Sequence, residues 1–119
     1  LQLSDISDGT SNVLLLGEKR LALRELMNYP FDDNEGYTAG WDCDTVRGTG
    51  DIKANPITIR RPLPDFWGRG DGDCRFGSSH PKGFNIALAD ASVQFITYDI
   101  DAMVFAKLGC RNDANDTVP

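Results

Sequence analysis

The sequence has no long hydrophobic run and comparatively few basic residues. A helix that crosses a bilayer needs about 20 consecutive apolar residues, and no stretch of this chain approaches that length. Lys and Arg number 12 against 18 Asp and Glu, which gives a net charge of −6. Nucleic acids and anionic lipids require a basic footprint, so the acidic balance argues against both as partners.

A secretory signal peptide is also missing, and the chain begins at Leu1 in the middle of a sequence pattern. We therefore expect a piece of a longer protein whose N-terminal part is not included. A length of 119 residues suits one hydrophobic core, so we predict a single domain over residues 1–119.

Cysteine is scarce, and the three cysteines show no CxxC spacing, so the sequence gives little support for a zinc site. In an exported protein, Cys43 and Cys74 are the candidates for a disulfide across the long central loop. Closing a loop of about 30 residues contributes about 3–4 kcal/mol of stability. Because Cys110 is left over, cysteine usage alone does not decide the compartment.

Acidic residues cluster in the loop-rich centre, where the candidate metal ligands are Asp42, Asp44, Asp71 and Asp73. Carboxylate oxygens are the ligands that calcium prefers, but the 12-residue calcium loop with its terminal Glu is absent. In a strand, Asp42 and Asp44 lie on one face, where either a bound cation or an arginine relieves their repulsion. The residues leave both open: a structural Ca²⁺, or salt bridges without any cofactor.

One β-hairpin organises the C-terminal half of the chain. The apolar residues that alternate with smaller or polar ones are Phe84, Ile86 and Leu88, then Val93 and Phe95. Two such runs separated by a two-residue break, Asp90-Ala91, predict a tight hairpin. We expect the bulky side chains of both strands to line one shared dry face.

Outside the hairpin, apolar runs and turn residues predict a few short elements. The run Val13–Leu16 reads as a strand buried on both faces. Residues 21–27 suit a short helix, and two short strands are expected around 37–47 and 57–61. The remainder of 31–83 is loop, and loops of this length are usually functional or insertions.

A short helix is predicted near the C-terminus. Asp101 is the expected N-cap, because its carboxylate accepts hydrogen bonds from the first-turn amides. Val104, Phe105 and Leu108 form an apolar stripe at helical spacing. Gly109 fits the left-handed position that often follows a helix.

Four motifs in a fixed order resemble one known family. They are Asp8-Gly9-Thr10-Ser11-Asn12 ahead of Gly17-Glu18; Gly40-Trp41-Asp42; Phe76-Gly77-Ser78-Ser79-His80-Pro81; and Ala89-Asp90. From about residue 3 to residue 112, the chain resembles the C-terminal half of the prepilin-like proteins duplicated in planctomycetes, called domain of unknown function 1559.

The signature of that family is a His, nine intervening residues, and Asp-Gly. His80 and Asp90 match it, but Ala91 stands where glycine is expected. A type I′ turn needs positive φ at both central residues, which costs a residue with a Cβ about 1 kcal/mol. The turn is therefore either of another type or mildly strained.

The resemblance implies an α+β fold: an antiparallel β-sheet-rich, pilin- or pseudopilin-like globular head with long loops and a short C-terminal helix. It implies export to the cell surface, periplasm or extracellular space, with membrane contact only through an N-terminal helix that is absent here. The implied partners are further copies, other envelope proteins, or the missing N-terminal part of the same protein. Type II secretion pseudopilins are related, and their heads can hold calcium. No enzymatic activity is implied.

His80 is the only histidine, which raises the hypothesis of a hydrolase that uses Ser78 or Ser79. Such a site needs an orienting carboxylate and an oxyanion hole. Asp90 is a poor orienter, because the strand from Phe84 to Asp90 spans about 20 Å. The alternative is that His80 bonds backbone where the strand begins.

Trp41, Phe66 and Trp67 lie beside acids and arginines in the loop-rich part. This combination suits a sugar-binding platform, an interface anchor or simple loop packing. The function that we predict is a non-catalytic structural or assembly protein, the head of a prepilin-like envelope protein. The alternative is an extracytoplasmic ligand- or glycan-binding module.

Overall fold

The computed structural model describes residues 2–26 and 43–113. Within these residues there are five strands and one α-helix: β1 (Leu14–Gly17), β2 (Gly50–Asp51), β3 (Thr58–Ile59), β4 (Gly83–Leu88), β5 (Val93–Thr97) and α1 (Ala102–Leu108). Four single-turn 3-10 helices span Leu3–Asp5, Thr10–Asn12, Leu23–Glu25 and Gly72–Cys74. The combination of antiparallel sheets with one short C-terminal helix confirms the predicted α+β class. No helix in the described ranges has the length and apolar character needed to cross a bilayer.

The main sheet has the strand order β1-β4-β5, and both strand pairs are antiparallel. The predicted hairpin is confirmed as β4 and β5, with Phe84 opposite Ile96 and Ala87 opposite Val93. On the other side of β4, Leu14 lies opposite Leu88, and a bulge follows before Leu16 meets Ala87. A second, two-stranded sheet pairs β2 with β3, which confirms a short strand within 57–61.

The hairpin turn contains three residues rather than two. Leu88 N–H donates to Ser92 O at 2.9 Å, and Ala91 N–H donates to Leu88 O at 2.9 Å. Within the turn, only Ala91 has positive φ, at 68°. That pattern is typical of a type I turn followed by a bulge residue in the left-handed region, so the turn is not type I′.

The third turn residue reverses the predicted facing of β5. A two-residue turn would place Val93 and Phe95 opposite Leu88 and Ile86, on the buried face. A slip of one residue moves every side chain of a strand to the other face. The expectation of one dry face is therefore correct for Phe84, Ile86 and Leu88 but wrong for Val93 and Phe95, which are exposed.

The core lies between the inner face of the sheet and α1, and its buried members are Phe76, Phe84, Ile86, Leu88 and Phe105. The Phe105 ring meets the rings of Phe84 and Phe76 edge-on, at centroid distances of 6.0 and 6.1 Å. Such edge-to-face pairs contribute about 0.5–1.5 kcal/mol beyond the area that they bury. These contacts hold α1 against the sheet.

The N-cap of α1 is confirmed, since the Asp101 carboxylate accepts from Met103 N–H and Val104 N–H. Two other details of the predicted helix are wrong. Val104 is exposed rather than part of a buried stripe. Gly109 has a φ of −82°, and a Cβ added there would overlap the Thr49 side chain. Close packing, and not a left-handed backbone, explains this glycine.

Three further predictions need correction. β1 is not buried on both faces, because it has one neighbour among the described strands and the bulge leaves both Leu15 and Leu16 exposed. The part of the predicted strand 37–47 that is described, 43–47, contains a turn and no strand, and 37–42 lies outside the described residues. The described part of the helix predicted over 21–27, residues 21–26, contains one 3-10 turn, Leu23–Glu25, and Met27 lies outside the described residues.

Candidate functional site

The central loop is closed by a disulfide between Cys43 and Cys74, whose Cα atoms lie 5.0 Å apart. Cys74 ends the 3-10 turn Gly72–Cys74, in which Asp73 and Cys74 have φ angles of 59° and 54°. The disulfide therefore anchors a segment that carries two consecutive left-handed residues with side chains.

The predicted metal ligands make protein contacts in this region. Asp42 lies outside the described residues. Asp44 is buried, and its backbone oxygen accepts from Lys19 Nζ at 3.0 Å. The Asp71 carboxylate accepts from Asp73 N–H at 2.9 Å, while the Asp73 carboxylate lies 2.9 Å from an Arg20 nitrogen. These contacts favour salt bridges and turn capping over a shared cation.

In the part of the chain that the structure describes, one group of three potential ligands lies close enough to share a metal ion: Cys43, Asp71 and Cys74. Both sulfur atoms are joined to each other, so neither offers a thiolate to a metal. The calcium prediction, which used Asp44 and Asp73 as well, gains no support from this group.

The first family motif lies against the hairpin turn. Asn12 Nδ2 donates to Asp8 O at 2.8 Å, and Gly9 takes a φ of 87° to begin the 3-10 turn that contains the exposed Ser11. Asp90 N–H then donates to the carbonyl of the motif's third residue, Thr10, at 3.0 Å. Two motifs distant in sequence thus form one structural unit.

Asp8 also holds the C-terminal end of the described chain, because its Oδ2 accepts from Asp113 N–H at 2.6 Å. Burial is the main cause that raises the pKa of Asp113, and the neighbouring Asp8 carboxyl raises it further. Lys107, whose Nζ lies 3.6 Å from Asp113 Oδ2, lowers the pKa of Asp113.

His80 lies at the opposite end of β4 from Asp90, as the strand length predicts. Its Nε2 is 3.5 Å from Glu18 Oε1, its ring meets Phe95 edge-on at 6.3 Å, and its backbone N–H donates to Ser78 Oγ at 3.0 Å. Among the described residues, the imidazole contacts an acid and an aromatic ring but no hydroxyl nucleophile.

The two serines beside His80 use their hydroxyls elsewhere. Ser78 Oγ donates to Gly83 O at 2.7 Å, and Ser79 Oγ donates to Asp65 at 2.5 Å. A hydrolase of the Ser-His type requires the hydroxyl and the imidazole within hydrogen-bond reach. These serines fix the loop that leads into β4.

The outer face of the main sheet carries an exposed apolar row. Leu16, Ala87 and Val93 lie side by side across the three strands. Leu16 is 65% exposed, Val93 71% and the adjacent Phe95 51%. We call Leu16, Ala87, Val93 and Phe95 the outer sheet face. Large exposed apolar side chains grouped in this way mark interaction surfaces more often than isolated ones do.

Glu18 borders the outer sheet face. Its Oε2 accepts from both Asn85 N–H, at 2.6 Å, and Asn85 Nδ2, at 3.1 Å, while its other oxygen faces His80. The sequence pattern places Glu18 within the first motif but predicts no role for its side chain. Its position directly after an apolar strand was the available signal.

Of the aromatic candidates, Trp67 is 79% exposed, whereas Phe66 is partly buried beneath the Arg20 guanidinium at 4.2 Å. Trp41 lies outside the described residues. Of the two tryptophans predicted for a sugar-binding platform, Trp67 alone lies within the described residues, and it is exposed.

A scan against protein families matches residues 1–103 to the family described as "Protein of unknown function (DUF1559)". This match covers most of the chain and confirms the suspected resemblance. Comparisons with curated proteins and with solved structures gave no match.

Proposed function

The chain belongs to the DUF1559 family, and from that membership we propose a non-catalytic structural role, as the globular head of an exported, prepilin-like envelope protein that assembles with copies of itself. The observation that carries the proposal is the outer sheet face, where Leu16, Val93 and Phe95 remain exposed on a regular β-sheet.

The charge distribution favours a second copy of the chain as the partner that covers the outer sheet face. The chain has a net charge of −6, so most approaches between two copies are repulsive. None of the residues of the outer sheet face is charged, and Glu18, which borders the face, is already bonded to Asn85 and faces His80. Copies can therefore meet at this face without bringing unpaired carboxylates together.

The size of the face favours a repeated contact over an isolated dimer. Three large exposed side chains amount to a few hundred Å², whereas a standard stable interface buries about 800 Å² on each partner. A contact of this size is weak alone and gains strength when several act together in an assembly.

The disulfide is consistent with export, because Cys43–Cys74 bonds of this kind persist in oxidising compartments. The segment that follows Cys43 lines one concave region together with Leu16 of β1. Localisation at the surface, in the periplasm or outside the cell is part of the same proposal.

Sedimentation velocity of the 119-residue chain over a concentration series tests the proposal. We expect reversible self-association that weakens at least tenfold in Val93→Lys. Val104→Lys is the matched control, since Val104 is also an exposed valine but lies on α1, and it should associate as the parent does. A parent chain that stays monomeric at millimolar concentration would contradict the proposal, as would equal effects of both substitutions.

A second candidate function, glycan binding, is favoured by the exposure of Trp67, since an exposed indole ring stacks on sugar rings. A glycan array probed with the parent and with Trp67→Ala tests it. Loss of signal in Trp67→Ala with unchanged stability would support a binding module. If the parent binds no glycan on the array, the result would rule out glycan binding.

A further inference from the structure

An open cavity of about 570 Å³ lies beside the disulfide, and its lining residues are Arg60, Asp71, Asp73, Cys74 and Arg75. We call it the arginine-lined cavity. A second concave region of about 370 Å³ shares Arg60 and Cys74 with it. Arg60 therefore lies between two depressions of one continuous surface.

Both carboxylates of this cavity are in contact with protein groups. Asp71 Oδ1 accepts from Asp73 N–H at 2.9 Å. Asp73 Oδ2 lies 2.9 Å from Arg20 Nη1 and 3.7 Å from Arg75 Nε. The cavity lining holds two arginines and two acids, and Arg20 and Arg47 contact Asp73 and Asp71 from outside it. Four guanidinium groups therefore surround two carboxylates, which is a local excess of positive charge within an acidic chain.

The guanidinium groups keep unused donors. Within the described residues, the Arg60 side chain makes one hydrogen bond, from Nη1 to the backbone oxygen of Asp73 at 2.9 Å, and it forms no ion pair. Arg75 donates from Nη1 to Arg61 O at 2.9 Å, while its buried Nε lacks a hydrogen-bond acceptor. Since a guanidinium carries five N–H groups, both side chains have donors available for an added acceptor.

The backbone beneath these arginines is strained, because Asp73 and Cys74 both hold positive φ angles. Each such residue costs about 1–2 kcal/mol, and strained positions of this kind cluster at ligand-binding sites. The disulfide and the Arg60 bond to Asp73 O hold the segment in place. The cavity is therefore preorganised and does not need to form around a ligand.

We propose that the arginine-lined cavity is a binding site for an oxyanion, held by the guanidinium groups of Arg60 and Arg75. Carboxylate and phosphate groups match the planar fork of a guanidinium, which can donate two parallel hydrogen bonds to them. The site lies apart from the outer sheet face and goes beyond the assembly role. Free phosphate and the carboxylate of an acidic sugar share this chemistry and are the two sources to distinguish.

Amide NMR titration of the 119-residue chain tests the site, with sodium phosphate, sodium glucuronate, sodium acetate and neutral glucose at constant ionic strength. We expect saturable shifts at Gly72, Asp73 and Arg75 with dissociation constants on the order of millimolar, and none with glucose. Tighter binding of glucuronate than of acetate identifies the acidic sugar as the source. Equal binding of the two, with phosphate tighter than either, identifies the free ion.

Arg60→Gln should weaken anion binding about tenfold to a hundredfold, as expected for the loss of a charged hydrogen-bond donor. Arg24→Gln removes the same charge from an exposed position outside the cavity and should leave binding unchanged. If Arg60→Gln disturbs the fold, Arg60→Lys keeps the charge without the fork and should bind more weakly than the parent. Absence of saturable shifts in the parent, or equal weakening by Arg24→Gln, overturns the proposal.

Discussion

The backbone N–H of Asp90 donates a 3.0 Å hydrogen bond to the carbonyl oxygen of Thr10. This bond joins the N-terminal motif of the family to the tip of the β4–β5 hairpin. The next residues extend the contact, since Ala89 N–H donates to Val13 O at 2.8 Å. The hairpin turn is therefore held from outside as well as by its own bonds, which explains how it keeps a left-handed alanine.

Replacing Ala91 with glycine should stabilise the protein. Ala91 has a φ of 68°, and glycine adopts this region without the steric cost of a Cβ. We expect Ala91→Gly to raise the free energy of unfolding by about 0.5–1 kcal/mol after the larger entropy of the unfolded glycine chain is included. Urea denaturation measures the change.

Ala89→Gly is the matched control for that substitution, because Ala89 is in the same turn but does not have positive φ. It should lower the free energy of unfolding by about 0.5–1 kcal/mol. If both substitutions changed the free energy of unfolding in the same direction, the result would contradict the turn geometry.

The Asp90 side chain should stabilise the turn only above acidic pH. Hydrogen bonds from Ser92 Oγ and Ser92 N–H hold the pKa of Asp90 below its ordinary value of 3.8. A carboxyl group with a lowered folded pKa contributes stability above the unfolded pKa and loses it as the pH falls through the folded pKa. The stability difference between the parent and Asp90→Ala should therefore be largest near pH 7 and shrink below about pH 3.8.

Ser92→Ala removes the side-chain donor but keeps the backbone donor. The stability of Ser92→Ala should therefore keep only part of the pH dependence that the Asp90 carboxylate gives to the parent and that Asp90→Ala lacks. A difference between the parent and Asp90→Ala that stays constant with pH would rule out the carboxylate as its cause.

Asp113 should show the opposite pH dependence. Burial first, and then the Asp8 carboxyl, raise the pKa of Asp113 above 3.8. The folded state then binds more protons than the unfolded state, so stability falls as the pH rises from the unfolded pKa through the folded one. Asp113→Asn should equal the parent near pH 3 and be more stable near pH 7 in denaturation experiments.

Lys107 provides the test of this assignment, because its ammonium opposes the rise in the pKa of Asp113. Lys107→Gln should steepen the loss of stability with rising pH. A flatter profile in Lys107→Gln would show that the pair is not coupled as the geometry indicates.

Reducing the Cys43–Cys74 disulfide should cost about 3–4 kcal/mol of stability in the chain-entropy account, given a sequence separation of 31 residues. The double substitution Cys43→Ser, Cys74→Ser measures this by denaturation without added reductant. Cys110→Ser, which changes the cysteine outside this disulfide, is the control and should shift stability by less than about 1 kcal/mol. A similar loss in both variants would mean that thiol packing, and not the cross-link, is responsible.

Local sequence rules predicted those features that depend on neighbouring residues. Alternation identified Phe84, Ile86 and Leu88 as the buried face of one strand, and the Asp101 cap located the start of α1. Both follow from backbone periodicity and from hydrogen bonds that close within one turn. The order of the motifs was enough to identify the family.

Features that depend on which strands pair, and in which register, were not predictable in this way. Alternation in β5 fits either face equally well, and one additional turn residue turned Val93 and Phe95 outward. The four apolar residues Val13–Leu16 do not reveal that β1 has a single described neighbour.

The sequence alone determined the α+β class, the hairpin, the helix cap and the family, because periodicity, capping and motif order are local properties of the chain. Tertiary structure alone decided that Leu16, Ala87, Val93 and Phe95 share one exposed face and that Arg60 and Arg75 line one cavity. Those arrangements result from strand register and from a cross-link between distant loops. Both depend on long-range pairing that no short stretch of residues specifies.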